Sequence, residues 1–198
     1  MDLFLQVWGG VFYLVNKMLF SIAQTQPLTT RRRLKILGWG VYIFGVPPWV
    51  IILVGQQNWI AASIEFGGIP AMIFGLYVVI KGRVANHLYD KLTSVITYFF
   101  IVLGSGYSLY CHHGISSLTQ VFEIGVMIGF LLGGYLLAKD NINGWFCFAL
   151  MNLSMGTLML IQHKPILAIQ QVVSLAFVLF GLIAMIKNHK RHTAHLAP

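Results

Sequence analysis

An all-α integral membrane protein, with seven transmembrane helices in a 3+1+3 parallel repeat, is the architecture this sequence predicts. Three observations predict it: apolar runs too long for a soluble domain, basic residues that alternate sides, and an internal similarity at a fixed offset. Of the 198 residues, 58% are hydrophobic and 9% are charged, whereas a soluble domain carries about 25% charged residues. The apolar runs are unbroken rather than alternating, which predicts helices and not barrel strands. The net charge of +8 is assigned to residues that flank spans and set orientation, not to nucleic-acid binding. Asp2 rather than a basic cluster precedes the first apolar run, and no small-residue cleavage site follows it. That run is therefore expected to be a retained helix.

At a length of roughly 20 residues per span, the expected spans are 3–23, 36–55, 59–80, 92–111, 118–138, 144–162 and 166–186. Arg31, Arg32, Arg33 and Lys35 occupy the first connection, and the uncharged Gln56-Gln57-Asn58 the second. Lys81, Arg83 and Lys91 flank the third connection; Cys111-His112-His113 begins the fourth. Lys139 and Asp140 fall in the fifth, His163-Lys164 in the sixth, and Lys187, Lys190 and Arg191 in the tail. Eleven of the 13 Lys and Arg thus fall on one side. The positive-inside rule makes that side cytoplasmic, with the amino terminus outside, as for a multi-pass protein of a plasma membrane such as the bacterial inner membrane. Lys17 lies inside the first span, six residues from its inner end, and is expected to snorkel to the interface. Cys111 and Cys147 fall near opposite faces and are not expected to form a disulfide.

An offset of 106 residues superimposes Gly38-Trp39 on Gly144-Trp145, Gln56 on Gln162, Ile60 on Ile166 and Ala62 on Ala168. It also superimposes Phe74-Gly75-Leu76 on Phe180-Gly181-Leu182 and Ile80-Lys81 on Ile186-Lys187, ten identities over 44 positions. The expected organisation is a first three-helix repeat over 1–82, a linking helix over 83–113, a second repeat over 114–188 and a basic tail over 189–198 with His189, His192 and His195. Three spans plus one return the chain to its starting side. The halves then share one orientation, and such repeats place a substrate site at their interface.

Trp145, Phe148 and Asn152 stand three and four residues apart, which places all three on one face of a helix. An amide within an apolar span needs a partner or a function, so this face is the candidate lining of a pocket for a small polar molecule with a flat ring. Gln170, Gln171 and Ser174 extend a neutral polar patch suited to sugar hydroxyls. Glu65, at the repeat position of Gln171, and Glu123 are placed in the outer third, where either would contact a cationic ring, take a proton or stand as an entrance charge. Pro47, Pro48 and Pro70 are candidate hinges. Gly104-Ser105-Gly106 has no partner histidine for serine chemistry and is read as helix packing. The adjacent His112 and His113 lack a third ligand, so no metal is expected. No cofactor is expected either, and no phosphate-binding loop or nucleophile–base set points to an enzyme.

The pattern Trp145-x-x-Phe148-x-x-x-Asn152, followed by Gln162, Gln170 and Gly181, resembles the PnuC family of vitamin transporters. The similar stretch covers about residues 140–187. The family often has a second Trp where this chain has Phe148, and Val46 stands at the repeat position of Asn152. The resemblance implies a 3+1+3 fold related to the sugar-transporting SWEET proteins. It also implies facilitated uptake of nicotinamide riboside, or of thiamine, riboflavin or a deoxynucleoside, by a chain embedded in lipid. A homo-oligomer is compatible with such a chain. The contrasting expectation is a non-transporting membrane scaffold with a closed, apolar interface between its halves.

Overall fold

The apolar runs fold as helices because a chain in lipid must satisfy its backbone polar groups internally. A computed structural model describes residues 2–55, 58–82 and 87–194, with side chains described from Phe4 to Asn188 except that of Ile60. The helices are α1 (Asp2–Ala23), α2 (Leu28–Gly55), α3 (Trp59–Gly67), α4 (Ile69–Lys81), α5 (His87–Cys111), α6 (Leu118–Ala138), α7 (Asn143–Ile161) and α8 (Pro165–Ala194). No strand occurs among the described residues. Gln56, Gln57, Arg83 and His195 of the expected connections and tail lie outside them. Six segments are long and apolar enough to cross a membrane: Leu28–Gly55, Ala61–Lys81, His87–Cys111, Leu118–Ala138, Asn143–Ile161 and Pro165–Asn188.

Four boundaries differ from the sequence expectation. The run over 59–80 is two helices, because Gly68 separates α3 from α4. Pro70 therefore stands in the first turn of α4, where its missing N–H leaves little unsatisfied. Helix α2 begins at Leu28, so Arg31–Arg33 and Lys35 are helical rather than loop residues. Helix α5 begins at His87. Helix α8 continues to Ala194, so most of the expected tail is helical. Helix α2 passes through Pro47 and Pro48 without ending; Pro47 is exposed and Pro48 buried.

Helix α1 packs against α2, and α6 packs against α7. Helix α2 rests on α3 and α4, and α7 rests on α8. Three further pairings join helices α1–α4 to α6–α8: α1 with α8, α4 with α6 and, least extensively, α3 with α6. Helix α5 lies at the edge and buries only Thr93, Thr97 and Gly104, while Leu92, Val95, Phe99 and Val102 are exposed. Gly104 faces Met127 and Ile64, as helix packing through small residues requires, but Gly106 has open space around it. A contiguous core joins Phe20, Trp39, Tyr42, Val46, Phe130, Trp145 and Phe148.

Polar contacts gather the basic residues at one end. Asp140 accepts from Lys35 at 2.7 Å and from Arg31 at 3.3 Å. Arg32 donates to the carbonyls of Val79 and Ile80 at 3.2 and 2.6 Å, covering the end of α4. Lys139 pairs with Asp90 at 2.8 Å, and this contact raises its pKa above the usual lysine value. Asn188 donates to the Gln24 carbonyl at 2.6 Å, tying α8 to the end of α1.

One close inter-helix contact, an indole on a glycine, occurs twice. The Trp39 ring lies on Gly75, where an added Cβ would stand 2.3 Å from it; the Trp145 ring lies on Gly181, where the distance would be 2.4 Å. Such overpacking costs about 1–3 kcal/mol. Gly75→Ala and Gly181→Ala are each predicted to lower stability by that amount in thermal unfolding of the purified protein. An unchanged melting temperature for both would remove these contacts from the account of the fold.

Candidate functional site

Helix α7 does align Trp145, Phe148 and Asn152 on one face, and all three are buried. Their surroundings differ from an open pocket wall. Trp145 is wedged on Gly181 of α8 and is 0% exposed, so its ring is a packing element. Phe148, also 0% exposed, contacts the face of Gly133 in α6. Asn152 donates from Nδ2 to its own helix, to the Phe148 carbonyl at 2.7 Å, while its Oδ1 has no protein partner.

The largest departure from expectation is Lys17. It does not snorkel: the residue is 2% exposed, and its ammonium points into the bundle. Lys17 Nζ stands 3.5 Å from the centroid of Phe148 and 4.5 Å from that of Tyr42. A cation over an aromatic face is held by the ring quadrupole. Its one hydrogen bond goes to Asn16 Oδ1 at 3.3 Å. Asn16 is itself fixed, donating to the Gly38 carbonyl of α2 at 3.0 Å. Length along the helix would let the lysine reach an interface; the two rings and the neighbouring amide hold it inside instead.

Tyr42, which was not among the candidate residues, is the other ring beside Lys17. It lies near four other aromatic rings, with centroids 5.2 Å from Tyr13, 6.1 Å from Trp39 and Phe130, and 6.4 Å from Phe148. At the offset of 106 residues, Tyr42 is the counterpart of Phe148. The signal was present: Trp39-x-x-Tyr42 repeats Trp145-x-x-Phe148 with one ring exchanged for another. Lys17 thus sits between two rings that occupy equivalent places in the two halves of the sequence.

The remaining expected residues divide. Glu65 is turned toward the bundle, not placed as an outer entrance charge: it accepts from Tyr13 of α1 at 2.5 Å. It attracts Lys17 electrostatically. Gln170 is drawn away from the α7 face and donates to the Gly10 carbonyl of α1 at 3.0 Å. Gln171 lies beside Gly156 of α7, and Ser174 is buried on α8. Glu123 is exposed on α6, outside this cluster. His112 and His113 are exposed, and the His112 ring lies 2.9 Å from the Ser108 carbonyl. Cys111 and Cys147 are both free.

Around Phe148 the buried polar atoms are mostly donors. Lys17 uses one of three N–H groups, and neither the Trp145 indole N–H nor the Tyr42 hydroxyl has a protein partner. Asn152 Oδ1 has no protein partner either and can only accept, whereas the Tyr42 hydroxyl can donate or accept. The centre is closed, since Lys17, Tyr42, Trp145, Phe148 and Asn152 are each at most 2% exposed; a cavity of about 50 Å³ lies toward the basic end, beside Lys35, Trp39 and Asp140, and another of about 130 Å³ between α3 and α5. Comparison with protein-family profiles, with curated proteins and with solved structures finds no match to this chain.

Two substitutions separate packing from polarity. Asn152→Val installs the residue found at Val46 and removes an unpartnered buried oxygen, so stability is predicted to hold or to rise by up to about 1–2 kcal/mol. Trp145→Ala opens a cavity against Gly181 and is predicted to cost about 3–5 kcal/mol. Thermal unfolding of both variants checks this. A strong loss of stability in Asn152→Val would make the amide a structural group.

Proposed function

We propose that this chain is a seven-span membrane carrier, built as a 3+1+3 repeat, for facilitated uptake of a small vitamin-like nucleoside. Nicotinamide riboside is the first candidate; thiamine, riboflavin and deoxynucleosides are the alternatives. The observation that carries the proposal is the cluster of Lys17, Tyr42, Trp145 and Asn152 around Phe148. It places unpartnered polar atoms in the core of an otherwise apolar bundle. Buried polar groups without partners cost stability, so a function that uses them accounts for their presence.

The repeat is supported by two independent matches. Helix pairings within 1–82 mirror those within 114–188, and the Trp39–Gly75 contact mirrors Trp145–Gly181. Helix α1, with 22 residues, supplies the seventh span. The exposed apolar face of α5 suits a linking helix against lipid. The ion pairs of Asp140 at the basic end would close the cytoplasmic side, and the aromatic cluster would close the middle. The 3+1+3 carrier then alternates access by movement of one half against the other.

A non-transporting scaffold is the second reading, favoured by the closed centre, since ligand pockets commonly enclose about 300–1,000 Å³. The polar cluster opposes it, because a scaffold would lose nothing by burying apolar residues there. Uptake by vesicles containing the purified protein separates the two. Nicotinamide riboside, thiamine, riboflavin and thymidine are offered in turn. The carrier reading predicts saturable uptake of at least one, reduced about tenfold or more by Asn152→Val, the scale of one lost hydrogen bond to a ligand. Absence of uptake for all four would leave the scaffold.

A further inference from the structure

We infer that Lys17 is a specificity-determining residue of this site, one that favours an uncharged ring bearing a carbonyl edge and disfavours a cationic ring. The inference rests on the carrier reading above and narrows its ligand class: it places nicotinamide riboside and thiamine, whose rings are cationic, behind riboflavin, the deoxynucleosides and an uncharged form of nicotinamide riboside. Any flat ring that stacks on Phe148 or Tyr42 enters the space the ammonium now occupies, since Lys17 Nζ is within 4.5 Å of both centroids. A ring carrying its own positive charge meets a like charge there. An uncharged ring does not, and a carbonyl on its edge accepts the N–H groups that Lys17 leaves unused. The Trp145 and Tyr42 donors add to the same demand for acceptors, while Asn152 Oδ1 takes one ring N–H or hydroxyl.

Glu65 does not reverse this preference. It engages the Tyr13 hydroxyl, and the Tyr13 ring packs edge-on against Tyr42. The ammonium, not the carboxylate, is the charge placed against the Phe148 and Tyr42 rings. Asn16 acts as the positioning residue: its carbonyl oxygen accepts from Lys17, and its amide donates to Gly38.

The discriminating pair of probes is nicotinamide riboside, whose pyridinium ring is cationic, and its 1,4-dihydro form, which is uncharged and keeps the same ribose and carboxamide. Binding to the purified protein in detergent is measured for both by calorimetry. The expected result is tighter binding of the dihydro form by about tenfold or more, the scale of one charge facing another inside a protein. Lys17→Met keeps the length of the chain without its charge and should abolish the difference, while Lys17→Arg should retain it. Equal binding of both forms to the unaltered protein overturns the inference and leaves the carrier reading standing. A ratio unchanged in Lys17→Met also overturns it. Failure of both forms, and of uridine and riboflavin, to bind the unaltered protein overturns the carrier reading itself and the inference with it. The comparison on the unaltered protein decides the matter even where the Met variant does not fold.

Discussion

One buried ammonium constrains the centre of this bundle. A lysine at the centre of a membrane helix costs roughly 2.5–3.5 kcal/mol on insertion scales; Lys17, six residues from the end of α1, is buried in the bundle instead of reaching the interface. It is held by the faces of Phe148 and Tyr42 and by Asn16. A desolvated cation over an aromatic face gains about 2 kcal/mol, so two rings and an amide offset the burial. The offset requires α1, α2 and α7 to meet at one point. It also fixes Asn16 against Gly38, and it places Tyr42 among Tyr13, Trp39, Phe130 and Phe148.

The two indoles set the distances around that point. Trp39 on Gly75 brings α2 against α4, and Trp145 on Gly181 brings α7 against α8. Each contact exists because glycine has no side chain to hold the helices apart. The rings one turn further along, Tyr42 and Phe148, then face the lysine from two sides. At the next turn the halves differ, with Val46 against Asn152. The centre is thereby asymmetric, with an amide on the α7 side and an aliphatic side chain at the matching position of α2.

Much of this was legible in the sequence. Helices follow from apolar runs of bilayer length, and the alignment of Trp145, Phe148 and Asn152 follows from helical periodicity. The gathering of Arg31, Lys35, Lys139 and Asp140 at one end follows from where the connections fall. The division at Gly68 had a signal in Gly67-Gly68 two residues before Pro70, which the length of the apolar run overrode. Lys17 was misplaced because helix position limits where a side chain reaches but not which partners await it. Those partners come from α2 and α7, far away in sequence. Gln170 fails the same way: its amide meets the Gly10 carbonyl of α1, a contact set only by how α8 packs.

A carrier requires the closed centre to be a chamber that opens. Val46, 1% exposed and opposite Asn152 in the repeat register, reports on it without altering a proposed ligand contact. In a chain with Cys111→Ser and Cys147→Ser, Val46→Cys is placed in membrane vesicles and treated with a membrane-impermeant maleimide from each side in turn. A carrier predicts labelling from both faces, slowed by a bound ligand. A thiol that stays unlabelled from both faces under all conditions would contradict the claim and leave a permanently sealed core.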